Sequence, residues 1–225
     1  PLRIVTSDAF SRDKRDHMRA LGAELTLVAS EGGQTTKKLI LDMIAAARAV
    51  AGESGAYATD QLRNLDSVAG YHALGEEIRE QTGGAVDAFV HSVGTAASLR
   101  GVAEVLKRRR PAPRIVAVEP AESPVLGGGA PGPHQIEGVG IGYVPPLWEP
   151  ALVDEVVPVA TAAAKAMARR LAREEGLFAG TSSGANVLAA IAVGRRLGPR
   201  ATVVTLMADS GLKYLSTDLH RDSDE

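Results

Sequence analysis

The chain has 225 residues, 45% of them apolar and 23% charged, with 25 Lys and Arg against 27 Asp and Glu for a net charge of -2. This is the composition of a soluble globular protein with a sizeable core, and the near balance of charge directs no field at nucleic acid or an anionic membrane, so small-molecule chemistry is expected. The absence of cysteine excludes disulfides, thiolate metal sites and a cysteine nucleophile; no apolar run nears the ~20 residues of a membrane helix and no signal peptide opens the chain, so the reading is cytoplasmic.

Apolar runs of strand length alternate with longer segments of helical period, the pattern of a parallel sheet covered by helices. The run 2–5 directly follows Pro1, so a strand is expected at the very start, as in a truncated chain. The other strand candidates are 25–28, 86–91, 115–118 and 202–207. Residues 11–21 read as a polar surface helix. Residues 36–50 place Leu39, Ile40, Met43, Ile44 and Ala47 on one apolar stripe, ended by Gly52 and Gly55. Helices follow at 67–81 and 96–110, and the basic run 107–110 is expected in a last helical turn, where cations complement the dipole, rather than at a nucleic-acid site. Residues 120–150, rich in Gly and Pro, are too long for an ordinary connection and read as a functional loop. Thr161 is expected to cap an Ala-rich helix to Glu175, and Ser183 or a neighbour to open another to Leu197.

Two segments carry candidate chemistry. The stretch from His91 through Gly94, Thr95, Ala96, Ala97 and Ser98 to Gly101 runs from a buried strand into a helix through small residues. Open N–H groups at such a helix start suit a phosphate, although a tight turn without any ligand has the same look. Asp209 and Ser210 follow the last strand, where ligands of open α/β sheets bind.

Together these segments resemble the cysteine synthase and cystathionine β-synthase family of pyridoxal-phosphate (PLP) enzymes. The stretch 91–101 is similar to the family's phosphate loop, whose strand ends in Gly-Thr-Gly-Gly-Thr, and Ser210 resembles its serine at the pyridine nitrogen. Further ordered similarities are 11–22, Asp60 to Asn64, Glu119-Pro120 with Ser123-Pro124-Val125, the glycine-rich 131–142 and the segment 174–185. The resemblance implies a tryptophan synthase β-like fold of open, mostly parallel sheets covered by helices. Residues 1–65 would be the remainder of a small substrate-side domain and 66–225 a large PLP-binding domain. It implies PLP held by Gly94, Thr95, Ala96, Ala97, Ser98 and Ser210, and substrate held by Gln61, Gly138 and Gly140. The implied activity is transferase or lyase chemistry of cysteine biosynthesis: β-elimination on a serine-type amino acid such as O-acetylserine, then addition of sulfide or a larger thiol, in a homodimer.

Two departures bear on this. Ala96 and Ala97 stand where the family has two glycines, which is acceptable at negative φ but places methyl groups near the phosphate. The family's Schiff-base lysine lies in an N-terminal segment without counterpart here, and none of Lys14, Lys37, Lys38, Lys107, Lys165 or Lys213 has the matching context. A non-catalytic partner subunit of the same fold is therefore an alternative. A serine hydrolase is another, since Gly180-Thr-Ser182-Ser-Gly184 fits G-x-S-x-G with Asp209 and His220 downstream. Gly138, Gly140 and Gly142 give G-x-G-x-G, which does not clearly follow a strand or open a helix as an NAD fingerprint would, and His17, His72, His91, His134 and His220 lack metal-ligand spacing.

Overall fold

A short parallel pair begins the chain. In the computed structural model, which describes residues 1–52 and 56–220, β1 (Arg3–Ser7) leads through α1 (Arg12–Ala20) to β2 (Glu24–Val28), which lies parallel to β1. The α1 helix starts where the Ser11 hydroxyl accepts from Lys14 N at 3.3 Å, and it buries none of its residues, as expected of a polar surface helix. Thr36 opens α2 (Lys37–Ala51) in the same way, its hydroxyl accepting from Leu39 N at 3.1 Å. Of the apolar stripe Leu39 is buried, but Ala47 is exposed; Gly52 ends the helix and Gly55 lies outside the described residues.

The expected helix at 67–81 is two helices, α3 (Leu65–Gly70) and α4 (His72–Gln81), which meet at Tyr71. Beyond them stand β3 (Ala88–Ser92), α5 (Ala97–Leu106) and β4 (Arg114–Pro120). The basic run is not in a last helical turn: α5 ends at Leu106, Lys107 is its C-cap, and the cations bond neighbouring structure instead. Lys107 pairs with Asp154 at 2.7 Å and Arg109 donates to Val86 O at 3.1 Å. Residues 121–149 form no helix or strand, in keeping with the long loop expected there.

One strand is not foreshadowed by its sequence. β5 (Glu155–Val159) carries Glu155 and Pro158, which interrupt its apolar character, and it is tolerated because the order β5-β4-β3-β6 puts it at an edge. The chain then forms α6 (Thr161–Glu174), α7 (Thr181–Leu197) and β6 (Val203–Thr205). Thr161 does not cap α6; Ala160 holds that position, and the Thr161 hydroxyl accepts from Gln135 N at 3.3 Å. All pairs in the four-stranded sheet are parallel, and both faces are covered. Phe89 packs on one face with Leu99, Val102 and Ile115, while Val90 packs on the other with Val116, Ala189 and Val193. That two-sided burial is why β3 and β4 read as unbroken apolar runs.

Candidate functional site

Because β3, β4 and β6 run parallel, the residues that follow each of them gather at one edge of the sheet. Val93 continues from β3, its N–H donating to Val118 O at 3.0 Å. Gly140 N donates to Val93 O at 3.1 Å, which lays the glycine-rich loop across the β3 end. A Cβ on Gly94 would lie 2.3 Å from Gly138 O, so only glycine permits this approach. Gly138 and Gly140 take φ of 87° and 61°, the left-handed region that glycine enters without steric cost. Gly94, Gly138 and Gly140, expected at phosphate and substrate, are thus brought together. Glu119, Val93 and Tyr143 line a small cleft beside them. The Glu119 carboxylate accepts from Leu126 N at 2.7 Å and Gly127 N at 2.9 Å, and burial pushes its pKa up.

The turn into α5 departs from the expectation at one point. Ala96 has φ 72°, not the negative value that would make alanine easy, and a residue there costs about 1–2 kcal/mol relative to an ordinary backbone. Ala97 is already helical. Both methyl groups pack inward with Val93, Leu99 and Leu147, so they do not fill the concave side of the turn. Ala96 offers no cap, and the Thr95 hydroxyl reaches Ala97 N only at 3.5 Å. Glycine pressed close, a helix start without a strong cap, and the hydroxyls of Thr95 and Ser98 form a donor set that fits a phosphate.

Behind this turn lie buried His91 and Asn186, to which the sequence motifs assign no role. His91 Nε2 is 2.9 Å from Ser98 Oγ, and His91 Nδ1 is 3.3 Å from Asn186 Nδ2. Asn186 is fully buried, and its Oδ1 accepts from Ser92 N at 2.8 Å. Burial lowers the His91 pKa to about 4. A polar residue on the apolar stripe of α7 is the available signal for Asn186. His134 is structural: Nε2 donates to Gly140 O at 2.8 Å and Nδ1 accepts from Ile136 N at 3.2 Å.

After β6, Ser210 opens a 3₁₀ turn, Gly211–Tyr214, and its hydroxyl accepts from Leu212 N at 3.3 Å. Asp209 is engaged elsewhere: one carboxylate oxygen accepts from Gly180 N at 3.1 Å and the other from the Tyr214 hydroxyl. The same hydroxyl accepts from Lys14 Nζ at 2.8 Å, and Lys14 also pairs with Glu137 at 3.0 Å, tying α1 to the glycine-rich loop. Lys38, Lys107 and Lys165 are paired with Asp42, Asp154 and Asp218. Gln61 is exposed, on a turn where Asp60 has φ 34° and where the charges of Asp60 and Arg63 act on Tyr143; burial, the larger effect, raises the Tyr143 pKa.

No triad is assembled from Ser182, Asp209 and His220. Ser182 is buried inside the first turn of α7, no strand precedes it at 177–179, Asp209 is held as above, and His220 packs on Phe178 with ring centroids 4.5 Å apart. Gly138, Gly140 and Gly142 lie in an irregular loop from which no helix opens.

Comparison with known proteins agrees with this geometry. A cysteine synthase of Staphylococcus aureus (strain Mu50) is 39% identical over 216 residues, covering 95% of this chain and 67% of that protein. The crystal structure of a cysteine synthase from Entamoeba histolytica superposes with a TM-score of 0.86 at 37% identity, covering 99% of this chain and 65% of that one. An O-acetylserine dependent cystathionine beta-synthase from Helicobacter pylori gives a TM-score of 0.86 at 34% identity, covering 97% and 70%. The chain thus spans about two thirds of the length of these relatives, and its sheets and helices are those of the tryptophan synthase β-like PLP fold. The family model of the pyridoxal-phosphate dependent enzymes matches residues 1–209, and the chain belongs to that family.

Proposed function

We propose that these residues form the phosphate- and ring-holding part of a PLP-dependent β-replacement enzyme of cysteine synthase type. Its substrates would be a serine-type amino acid such as O-acetylserine and sulfide or another thiol. The observation that carries the reading is the turn 93–98, where Gly94 lies so close to Gly138 O that no side chain fits and where the α5 start lacks a strong cap. Bound there, PLP supplies an electron sink for breaking bonds at the amino-acid Cα and Cβ.

The chain's own residues divide the work. Gly94, Thr95, Ala96, Ala97 and Ser98 hold the phosphate through backbone N–H groups and two hydroxyls. Ser210 would donate to the pyridine nitrogen. Its oxygen already accepts from Leu212 N, so its proton is free to be donated, and a neutral hydroxyl leaves the nitrogen less protonated than a carboxylate would. Asp209, bonded to Gly180 and Tyr214, braces that turn. Gln61 orients the substrate carboxylate from its exposed turn, and Gly138 and Gly140 lend backbone at the cleft beside Tyr143. Residues 1–65 serve the substrate side and 66–225 the cofactor side. No lysine among these residues is assigned the covalent bond to PLP. A homodimer in the cytoplasm is part of the same proposal; no helix among the described residues is long and apolar enough to cross a membrane.

The test is PLP binding followed by borohydride reduction and intact mass, together with cysteine formation from O-acetylserine and sulfide. A reduced adduct and cysteine production support the β-replacement reading. Tight PLP binding without adduct or turnover favours the non-catalytic partner subunit, and binding of PLP no tighter than of pyridoxal refutes the phosphate site.

A further inference from the structure

The hydrogen-bond chain behind the turn fixes the direction of one proton. Asn186 Oδ1 accepts from Ser92 N at 2.8 Å and Asn186 Nδ2 donates to Leu206 O at 2.9 Å, so its amide can sit only one way round. The second Nδ2 hydrogen then faces His91 Nδ1 at 3.3 Å, and that nitrogen must be the acceptor. A neutral imidazole with an accepting Nδ1 carries its proton on Nε2, which lies 2.9 Å from Ser98 Oγ. Ser98 therefore accepts from His91. Its own proton has no other partner among the described residues, and the half-buried hydroxyl sits in the first turn of α5. Burial, which holds the His91 pKa at about 4, keeps the ring neutral at neutral pH.

We infer that His91, with its tautomer set by Asn186, is a positioning residue that holds Ser98 as an acceptor and so turns the Ser98 proton toward a phosphate bound at the turn. This rests on the reading of 94–98 as a phosphate site. It adds that the affinity for phosphate depends on a histidine that does not touch it, through an order of donors running from Asn186 to His91 to Ser98 to ligand. A hydroxyl with its oxygen already accepting is also a better donor to an anion, because hydrogen bonds in a chain polarise one another.

The test compares the dissociation constants of PLP and of pyridoxal, whose ratio isolates the phosphate. Ser98→Ala and His91→Leu should each weaken PLP about tenfold or more, the scale of a hydrogen bond to a charged group, while pyridoxal is unmoved. The double variant should be no weaker than Ser98→Ala alone, and His91→Gln, which keeps a donor near Nε2, should recover most of the affinity. Imidazole ¹⁵N spectra of the unmodified protein should show His91 protonated at Nε2. If His91→Leu weakens PLP and pyridoxal alike, or adds its full effect to that of Ser98→Ala, the residue is structural and the inference falls. An Nδ1-protonated ring overturns it even if His91→Leu does not fold. Loss on Ser98→Ala with none on His91→Leu overturns this inference alone, whereas PLP binding no tighter than pyridoxal removes the phosphate reading beneath it.

Discussion

The helix starts of α2 and α5 solve the same problem differently. Thr36 stands before α2 in an extended conformation and its hydroxyl takes up Leu39 N, so the start is closed by its own side chain. Ala96 stands before α5 at φ 72° with no side chain to offer, and the first-turn N–H groups are left without a cap from it. One start is finished for stability. The other carries strain, a strict need for glycine at 94 and a buried histidine behind it, the kind of cost that folded proteins concentrate where a ligand is to be held.

The largest expected contrast between the two is in pH dependence. Burial lowers the His91 pKa from the ordinary 6.5 to about 4. Between those values the unfolded chain binds the proton and the folded chain does not, so stability is full above about pH 6.5 and falls as pH drops toward 4, by about 3 kcal/mol from this group. His134 and His220 are lowered by burial too and act in the same direction, so the quantity to measure is the difference between the unmodified protein and His91→Gln. Urea unfolding across that range should show a shallower acid decline in the variant; equal slopes would mean that His91 is charged or solvated in the folded state.

Next in size is Gly94→Ala. Its Cβ would meet the Gly138 backbone oxygen at 2.3 Å, a neighbour that cannot rotate away, and overpacking of this kind costs about 2 kcal/mol. Chemical denaturation should show that loss, and the preference for PLP over pyridoxal should fall with it as the glycine-rich loop lifts off the turn. Thr36→Ala should cost less, about 1 kcal/mol for a lost cap, and should leave the PLP-to-pyridoxal ratio unchanged. A changed ratio there would break the separation between a start built for stability and one built for a ligand.

How much of this is legible in the sequence follows the range of the interactions. The α1 and α2 caps are local, Ser11 to Lys14 and Thr36 to Leu39, and both starts are visible as residue types in place. The central strands are visible because both their faces are buried. β5 is not, since an edge position lets it carry Pro158 and a charged Glu155. The small residues of 94–98 and the hydroxyl of Ser210 mark the candidate site, but the partners that give them meaning are distant in the chain. Gly138 fills the space over Gly94, and Asn186 sets the His91 ring from another helix. The sign of φ at Ala96 is hidden too, because local preference favours a negative value where the folded chain has 72°.

The smallest expected effect is at that same position, and it is small because opposing contributions nearly cancel. Ala96→Gly would release about 1–2 kcal/mol of left-handed strain. Against this, glycine gains conformational freedom in the unfolded chain worth about 0.5–1 kcal/mol, and the variant loses a buried methyl worth about 0.8 kcal/mol. The balance is centred near zero and lies within about 0.8 kcal/mol of it, so the thermal midpoint should move little. Affinity for PLP should hold steady as well, because the Ala96 methyl packs inward with Leu99 and Leu147 and not into the turn. A gain of tenfold or more in PLP affinity on Ala96→Gly would show instead that the methyl stands against the phosphate. An unchanged affinity would mean that α5 can be opened to a ligand by backbone shape alone, with alanine as serviceable as glycine once the apolar cluster takes its methyl group.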